Sequence, residues 1–368
     1  MEWLLPFGMG ILLGGIGALL WTQRLGRKRR GLREIMSSAL AIRLATGPRV
    51  VALGGGTGLS TLLRGLKGYT RNITAIVTVT DEGGSSGRLR TEWGVLPPGD
   101  VRNCIIALAE NDSALNSILN FRFDKGDLAG HSLGNLVLLA VTELAGDFRL
   151  AVEEMNKLLA IRGRVLPVTT EAVTIAGVDS RGNHFRGELE VARHGKELKE
   201  VRLEPADAKP LNEVVEAIAD SEAIVLGPGS LFTSILPNLL VPGVSEAIRQ
   251  ADAPRIYVAN VMTQPGETEG FTVYDHVKWI RDVLGQYPDI VLVNETEVPG
   301  EILSKYGEAG SEPVLINERE ENRLTRAHVQ VIRGDFLEIT PGGHVRHQAQ
   351  RVSEAIMKVA RDTKEFGR

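Results

Sequence analysis

A glycine-rich segment follows the apolar run 50–53 and precedes a helical pattern of leucines at 62, 63 and 66. Its residues are Gly54, Gly55, Gly56, Thr57 and Gly58. A strand, a tight turn and a helix N-terminus in this order direct unpaired backbone N–H groups and the positive end of the helix dipole at one point, where a phosphate can bind. The spacing matches neither the dinucleotide-binding fingerprint, which would need glycine at Leu59, nor the P-loop, which ends in glycine, lysine and a hydroxyl residue. The segment therefore predicts an anion site, with an ordinary strand-to-helix turn as the alternative.

Three further polar segments follow predicted buried strands, as expected at the ligand-binding edge of a doubly wound sheet. The strand at 73–80 leads to Asp81, which suits a ribose, a metal or a second substrate, although aspartate here also caps turns. Strands at 223–226 and 255–260 lead into a second glycine-rich helix start and a polar run. The candidate binding residues there are Gly227, Pro228, Gly229, Ser230, Thr233, Asn260, Thr263 and Gln264. These strand ends predict one crevice for a phosphorylated ligand such as a nucleotide, with Mg²⁺ bound through Asp81 as an option.

Two helix starts carry further candidates. Asp100 follows two prolines and a glycine and is a natural N-cap, which by itself accounts for the residue. His131 and Asn135 lie just before the apolar helix 136–144, in reach of a ligand, although a lone histidine is more often packed or hydrogen-bonded. His131 and Asp81 are the candidate catalytic groups, and the sequence assigns neither of them a step.

The composition excludes several other classes of protein. The chain has 368 residues, of which 43% are hydrophobic and 24% charged, as in ordinary globular proteins. Its net charge of -4 gives no indication of nucleic-acid binding. Cys104 is the single cysteine, which excludes an intrachain disulfide framework and a cysteine-rich metal site. The motifs of zinc hydrolases and elbow-serine hydrolases are absent from the sequence.

The N-terminal segment predicts a membrane anchor. Residues from Trp3 to Trp21 include no charged side chain, and a basic stretch from Arg24 to Arg33 follows them. By the positive-inside rule the rest of the chain stays in the cytoplasm. We therefore expect a single-pass protein of the cell membrane, with a transmembrane helix in 1–22 and a basic juxtamembrane linker over 23–47; a buried helix of a soluble fold is the alternative for the apolar run.

The body of the chain, residues 48–368, predicts a Rossmann-like α/β fold with a doubly wound, mainly parallel sheet. Residues 172–203 differ, because alternating segments, one of them 187–191, surround a turn and predict a small antiparallel β insertion. Segments 313–316 and 329–332 are expected to close the sheet before a C-terminal helix.

Six segments of the body, taken in order, carry a family resemblance. They are Val51–Gly58, Asp81–Arg90, Leu96–Asn103, Gly130–Asn135, Gly227–Ser234 and Asn260–Thr268. They resemble the bacterial YvcK family, the gluconeogenesis factors, which is similar to CofD, the phospholactate transferase of deazaflavin-cofactor synthesis. The resemblance covers the chain from about Pro48 onward.

The resemblance implies a domain that binds a UDP-sugar such as UDP-N-acetylglucosamine and acts in cell shape and cell-wall precursor supply during growth on gluconeogenic carbon. It brings Asn103 into the nucleotide-binding set, together with His131 and Asn135. In CofD relatives the two glycine-rich loops surround the nucleotide phosphates, and an aspartate like Asp81 serves metal and acceptor. The segments around Ser85 and His131 resemble YvcK rather than CofD.

Three functions follow from these observations. The preferred one is a regulatory protein that binds a nucleotide sugar, needs no cofactor and turns nothing over. The alternative is a Mg²⁺-dependent transferase that moves a phosphorylated group from a nucleotide-activated donor to a hydroxyl. A third is an NAD-type dinucleotide binder, since a strand-end acid also suits a ribose. A cell-wall or regulatory protein partner and a homo-oligomer are compatible with the preferred function.

Overall fold

The computed structural model describes residues 38–39, 41–110 and 114–366, without the side chains of 364–366. Residues 48–368 form one compact unit and residues 1–47 another, in whose described part residues 41–45 are helical. The predicted membrane anchor at 1–22, and most of the linker at 23–47, lie outside the described residues. Within the described part of the chain no single helix is long and apolar enough to cross a membrane, and one bent pair, Leu231–Leu240 with Val244–Gln250, meets that test by length and composition only.

The described residues contain three β-sheets. Their strands are β1 (Val50–Gly54), β2 (Ile73–Val77), β3 (Arg164–Pro167), β4 (Thr174–Asp179), β5 (His184–Arg186), β6 (Leu198–Glu204), β7 (Ala223–Leu226), β8 (Arg255–Val258), β9 (Ile290–Asn294), β10 (Gln330–Gly334), β11 (Leu337–Ile339) and β12 (Val345–His347). The central sheet has seven strands in the order β10-β9-β8-β7-β1-β2-β3, and every neighbouring pair is parallel. The chain therefore winds outward from β1 to β3, returns to β7 beside β1 and winds outward again, which confirms the predicted doubly wound sheet.

Helices cover both faces of this sheet. They are α1 (Gly56–Leu66), α2 (Gly84–Trp93), α3 (Gly99–Leu108), α4 (Ala114–Asn120), α5 (Leu133–Ala145), α6 (Phe148–Leu158), α7 (Glu188–His194), α8 (Asn212–Ala219), α9 (Leu236–Leu240), α10 (Val244–Gln250), α11 (Val273–Leu284), α12 (Gly300–Glu308), α13 (Glu318–Arg326) and α14 (Ala349–Phe366), with a short 3₁₀ turn at Gly195–Glu197 and a π-helical turn at Leu231–Ile235. All five residues of β1 are buried, as a parallel strand covered on both faces requires.

Helix α1 packs closely between α3 and α14. Its leucines at 59, 62, 63 and 66 are buried on one side of the helix and face the core. At Gly65 the backbone of α14 comes so close that an added Cβ would lie 2.3 Å from the carbonyl oxygen of Ala349. This contact fixes the angle at which α1 leaves the end of β1.

The predicted antiparallel insertion is confirmed, with one correction. β4 pairs with β5 and with β6 in a three-stranded antiparallel sheet between β3 and β7. The segment 187–191, predicted as a strand, instead begins helix α7 after Gly187, whose φ is +97°. Alternation over five residues does not distinguish a strand from a short helix, and here Val191 is buried from the helix.

The C-terminal region also differs in part from the prediction. Segment 329–332 belongs to the edge strand β10, as predicted. Segment 313–316 is not a strand of the sheet, and Pro313 makes only an isolated bridge to Met262. After β10 the chain forms the hairpin β11–β12, which is separate from the central sheet, and then α14.

We expect Gly65→Ala to destabilise the fold by about 1–3 kcal/mol, because the new methyl group would overlap the backbone of α14. Gly307→Ala is the matched control, since Gly307 lies within α12 and an added Cβ there meets nothing within 4 Å. That variant should be neutral or more stable by up to about 1 kcal/mol, from helix propensity. Urea unfolding of both variants measures the difference, and equal effects would contradict the proposed close packing.

Candidate functional site

A cavity of about 480 Å³ opens at the carboxyl edge of the central sheet, where the strand order reverses between β1 and β7. Its walls come from the segments that follow β1, β2, β7 and β8, as the sequence predicts for a crevice. The predicted site residues that line it are Gly55, Gly56, Thr57, Gly58, Asp81, Pro228, Gly229, Ser230, Thr233, Asn260 and Gln264. Its volume is that of a small-molecule site.

The floor of the cavity is the turn between β1 and α1. Gly55 is the N-cap position of α1 and has no side chain to cap the helix, and Gly56 has a φ of +60°. A Cβ on Gly55 would lie 2.4 Å from a carboxylate oxygen of Asp100, and one on Gly58 would lie 2.4 Å from the carbonyl oxygen of Pro228. Glycine is required because the turn is enclosed on two sides. Gly55 itself offers no capping side chain, so the positive end of the α1 dipole faces the cavity.

Asp100 does not act as the predicted N-cap. Pro98 occupies the N-cap position of α3, and Asp100 lies in the first turn, where its carboxylate accepts a hydrogen bond from the backbone N–H of Gly56. Burial, and then the charge of Asp81, raise the pKa of Asp100 to about 7, while the Gly56 bond and Arg102 act in the opposite direction. The sequence pattern places Asp100 correctly at a helix start but does not show that its side chain supports the neighbouring turn.

Glu188 joins Asp81 and Asp100 at one side of the cavity. It comes from the antiparallel insertion, which is held by two reciprocal bonds: the Glu82 amide donates to the Glu188 carboxylate at 2.8 Å, and the Glu188 amide donates to the Glu82 carboxylate at 3.0 Å. Burial, and then the charge of Asp81, raise the pKa of Glu188 to about 8. Asp81 also accepts from the Gly83 amide at 2.8 Å, so the turn-capping role considered for it is present alongside its place in the cavity.

The carboxylates at this side of the cavity have oxygen atoms of the kind that Mg²⁺ prefers as ligands. Among the described residues no group of three or more His, Cys, Asp or Glu side chains has the arrangement of a metal site. Mg²⁺, however, is commonly held by one or two carboxylates together with phosphate oxygens and water. Asp81 and Asp100 are the residues that would hold it, since their oxygens are hard ligands and their mutual repulsion would be relieved by a cation.

At the second glycine-rich loop a carboxylate of the protein is bonded to more than one donor. The buried carboxylate of Glu267 accepts a hydrogen bond from the Phe232 amide at 2.9 Å and another from the Ser230 hydroxyl. Burial raises the pKa of Glu267, while the bonds from Ser230 and from the amides of Phe232 and Thr233 lower it. At the turn after β1, Asp100 is bonded to the Gly56 amide, and the next two amides precede the first intrahelical bond, so that turn offers the better position for a phosphate.

The far wall of the cavity comes from residues that the sequence analysis missed. Tyr306 of α12 and the β12 region, with His344, Arg346 and His347, complete the lining. The Tyr306 hydroxyl accepts from the Val345 amide at 2.9 Å, and the His347 ring lies 2.9 Å from the carbonyl oxygen of Ala259, which fixes the hairpin over the end of β8. No local pattern marks these residues, because they reach the cavity only through the position of the hairpin.

His131 and Asn135 lie outside the cavity. The Ser85 hydroxyl lies 3.0 Å from Nδ1 of His131 and accepts a hydrogen bond from the side-chain amide of Asn135 at 3.0 Å. Both residues therefore fix the start of α2. Burial, and then the charge of Arg88, lower the pKa of His131.

Gly54 and Gly227 lie behind the lining at the strand ends, and Thr263 is buried with its hydroxyl bonded to the Glu312 amide at 2.9 Å.

Asn103 lies in a second cavity of about 530 Å³ beside the first. The two cavities share Thr57, Thr61 and Arg346 in their linings. Asn103 therefore lies near the glycine turn, in a cavity that adjoins the first one.

Comparison with known proteins places this architecture in a family. The sequence profile of 2-phospho-L-lactate transferase CofD matches residues 50–337. The chain is 47% identical over 311 residues to the gluconeogenesis factor of Halalkalibacterium halodurans, which covers 84% of this chain and 95% of that protein. It is 43% identical over 317 residues to the gluconeogenesis factor of Bacillus subtilis, with coverage of 86% and 99%.

The chain belongs to the gluconeogenesis factors (YvcK) of the CofD family. Among solved structures it is similar to a crystal structure of a Bacillus halodurans protein, with a TM-score of 0.81 and 46% identity over 85% of this chain and all of that one. In this gluconeogenesis factor the CofD match ends at residue 337, at the first residue of β11, so Arg346 and α14 lie beyond it.

The raised pKa of Glu188 predicts a specific pH dependence of stability. Since its folded pKa of about 8 lies above the ordinary 4.5, folding takes up a proton between those values, and the associated stability is lost as pH rises through about 8. Glu188→Gln should therefore gain stability over the wild type at pH 9, on the order of 1–3 kcal/mol, and lose little at pH 5.

Urea unfolding between pH 5 and pH 9 measures this effect. Glu200→Gln, an exposed position on β6, is the control and should follow the wild-type profile. A Glu188→Gln profile as steep as that of the wild type would contradict the assignment.

Proposed function

We propose that this gluconeogenesis factor is a regulatory protein that binds a nucleotide sugar of the UDP-N-acetylglucosamine type. The observation that carries the proposal is the N-terminus of α1, which faces a cavity of about 480 Å³ through the Gly55–Gly58 turn; Asp100 is bonded to the Gly56 amide, and the amides of Thr57 and Gly58 precede the first intrahelical bond, from Leu59 to Gly55. A diphosphate placed there receives backbone N–H groups and the helix dipole.

The charges around the turn suit a diphosphate in one orientation. Arg346 lines the cavity from β12 and has no ion-pair partner among the described residues, so its guanidinium is available to a phosphate. Glu267 is already bonded to the second helix start, and Asn260 and Gln264 line the cavity as uncharged hydrogen-bonding groups for a nucleoside. The ligand is therefore expected to direct its phosphates at α1 and its nucleoside at the loops after β7 and β8.

Two considerations support a role in binding rather than turnover. The histidine expected near the ligand, His131, is bonded to Ser85 outside the cavity, and of the two histidines that line it, His347 is bonded to a backbone carbonyl. The name of the relatives, gluconeogenesis factor, agrees with a regulatory role in growth on gluconeogenic carbon. We propose that this role is the supply of cell-wall precursors, which links the protein to cell shape.

Gly56→Val tests the binding site. The β-branched side chain would project over the turn at a φ of +60°, and we expect UDP-N-acetylglucosamine to bind at least about tenfold more weakly. Gly94→Val is the matched control: its φ is +67°, an added Cβ meets nothing within 4 Å, and it does not line the cavity. The measurement is calorimetric titration of the full chain with UDP-N-acetylglucosamine, GDP and NAD.

The control should keep its affinity although it carries similar backbone strain. An equal loss of affinity in both variants, or no binding of UDP-N-acetylglucosamine to the wild type, would contradict the proposal. A preference for NAD would favour the dinucleotide binder instead. In cells, we expect both a deletion and Gly56→Val to alter cell shape during growth on gluconeogenic carbon.

A second candidate, a CofD-like transferase, is favoured by the carboxylates at the cavity. Asp81 and Asp100 would hold Mg²⁺ beside the turn, and the bound ion would neutralise charge on a leaving diphosphate. Glu188, with a pKa raised to about 8, is protonated at neutral pH and shares a hydrogen bond with Asp81. Asp81 and Asp100 would thus orient the phosphates, and Glu188 would keep a proton close to them.

The transferase requires release of a nucleoside phosphate that depends on Mg²⁺. Asp81→Asn should abolish that release and weaken binding by less than about tenfold, since the turn after β1 remains. Glu190→Gln, at a half-buried residue of α7 that is paired with Arg193 and does not line the cavity, should have the wild-type rate. Chromatography of the nucleotide products over several hours distinguishes turnover from binding alone. If the protein is saturated with the nucleotide sugar and the sugar stays unchanged, the transferase is excluded for that donor.

A further inference from the structure

The second cavity adjoins the crevice that is proposed to receive the phosphates. It has a volume of about 530 Å³ and lies between α1, α3 and the β11–β12 hairpin. It shares Thr57, Thr61 and Arg346 with the first cavity. A ligand that lies across the glycine turn therefore has space for a further group on the side opposite to its nucleoside.

The lining of this second cavity is polar. Among its described residues Ala349 alone is apolar, and the others carry hydroxyl, amide, guanidinium or carboxylate groups. Flat aromatic rings bind preferentially against apolar or aromatic side chains. The described lining includes no aromatic side chain. The cavity thus suits a group with many hydroxyls rather than a second base or a flavin ring.

Several of these polar groups have no partner in the described part of the chain. The side chains of Arg64 and Asn103 make no hydrogen bond or ion pair there, and neither does that of Thr61. Arg64 projects from the last turn of α1, and Asn103 from the middle of α3, which packs beside it. The two side chains consequently face one space from two rigid helices, which is how a binding site achieves discrimination.

Donors and acceptors are both available for hydroxyl recognition. Arg64 offers donors, Asn103 offers both kinds of group, and Glu338 of β11 offers an acceptor. A nucleoside diphosphate without a further group leaves them in water, whereas a sugar attached to the diphosphate satisfies them.

We propose that the second cavity binds the sugar of a diphosphate-linked nucleotide sugar, and that Asn103 and Arg64 are its specificity-determining residues. The proposal rests on the proposed function, since the diphosphate on the Gly55–Gly58 turn positions the sugar. It adds which part of the ligand the protein distinguishes and where it does so.

The test is a calorimetric titration of the full chain with UDP and with UDP-N-acetylglucosamine. The wild type should bind the sugar nucleotide at least about tenfold more tightly than UDP. Asn103→Ala and Arg64→Ala should each reduce that preference by about fivefold and leave the affinity for UDP within about twofold of the wild type. Arg326→Ala, which removes an exposed arginine from the end of α13, is the matched control and should keep the full preference.

The outcomes distinguish failure of the proposed function from failure of this inference. Absence of UDP binding by the wild type would overturn the proposed function and this inference with it. UDP binding without a preference for the sugar, or equal weakening of both ligands by Asn103→Ala and Arg64→Ala, would overturn the inference alone. Thermal unfolding of each variant verifies the fold, and because the two substitutions lie on different helices, either one tests the inference if the other unfolds.

Discussion

The site depends on the close approach of two backbone turns at the centre of the sheet. β1 has β2 on one side and β7 on the other, so the turns that follow β1 and β7 leave the sheet next to each other. A Cβ on Gly58 would lie 2.4 Å from the carbonyl oxygen of Pro228, so glycine alone permits this spacing. The cavity therefore has backbone groups for a floor, and side chains from more distant segments form its walls.

The two helix starts at this floor differ in how their donors are paired. At the start of α1 the Asp100 carboxylate is bonded to the Gly56 amide, whereas Glu267 accepts from both the Phe232 amide and the Ser230 hydroxyl at the turn after β7. The amides of Thr57 and Gly58, which precede the first intrahelical bond of α1, make that start the better position for an anion. This asymmetry orients a ligand with one charged and one uncharged part, and it follows from a residue in the segment after β8.

The carboxylates and the arginine of the cavity come from different parts of the chain. Asp81, Asp100 and Glu188 fall within the segment that matches CofD, while Arg346 lies after the match ends at residue 337. The segment that matches CofD thus provides the carboxylates of the cavity, and the hairpin beyond the match adds a positive charge.

The sequence by itself determined the sheet, the glycine turn and the meeting of the strand ends. These features depend on local periodicity, on turn residues and on the rule that parallel strands end at one edge. Only the tertiary structure decided that Asp100 supports the Gly56 amide, that Glu267 occupies the second helix start and that His131 bonds to Ser85. Those contacts join segments more than 30 residues apart, and packing selects among many polar side chains that the sequence presents as equivalent.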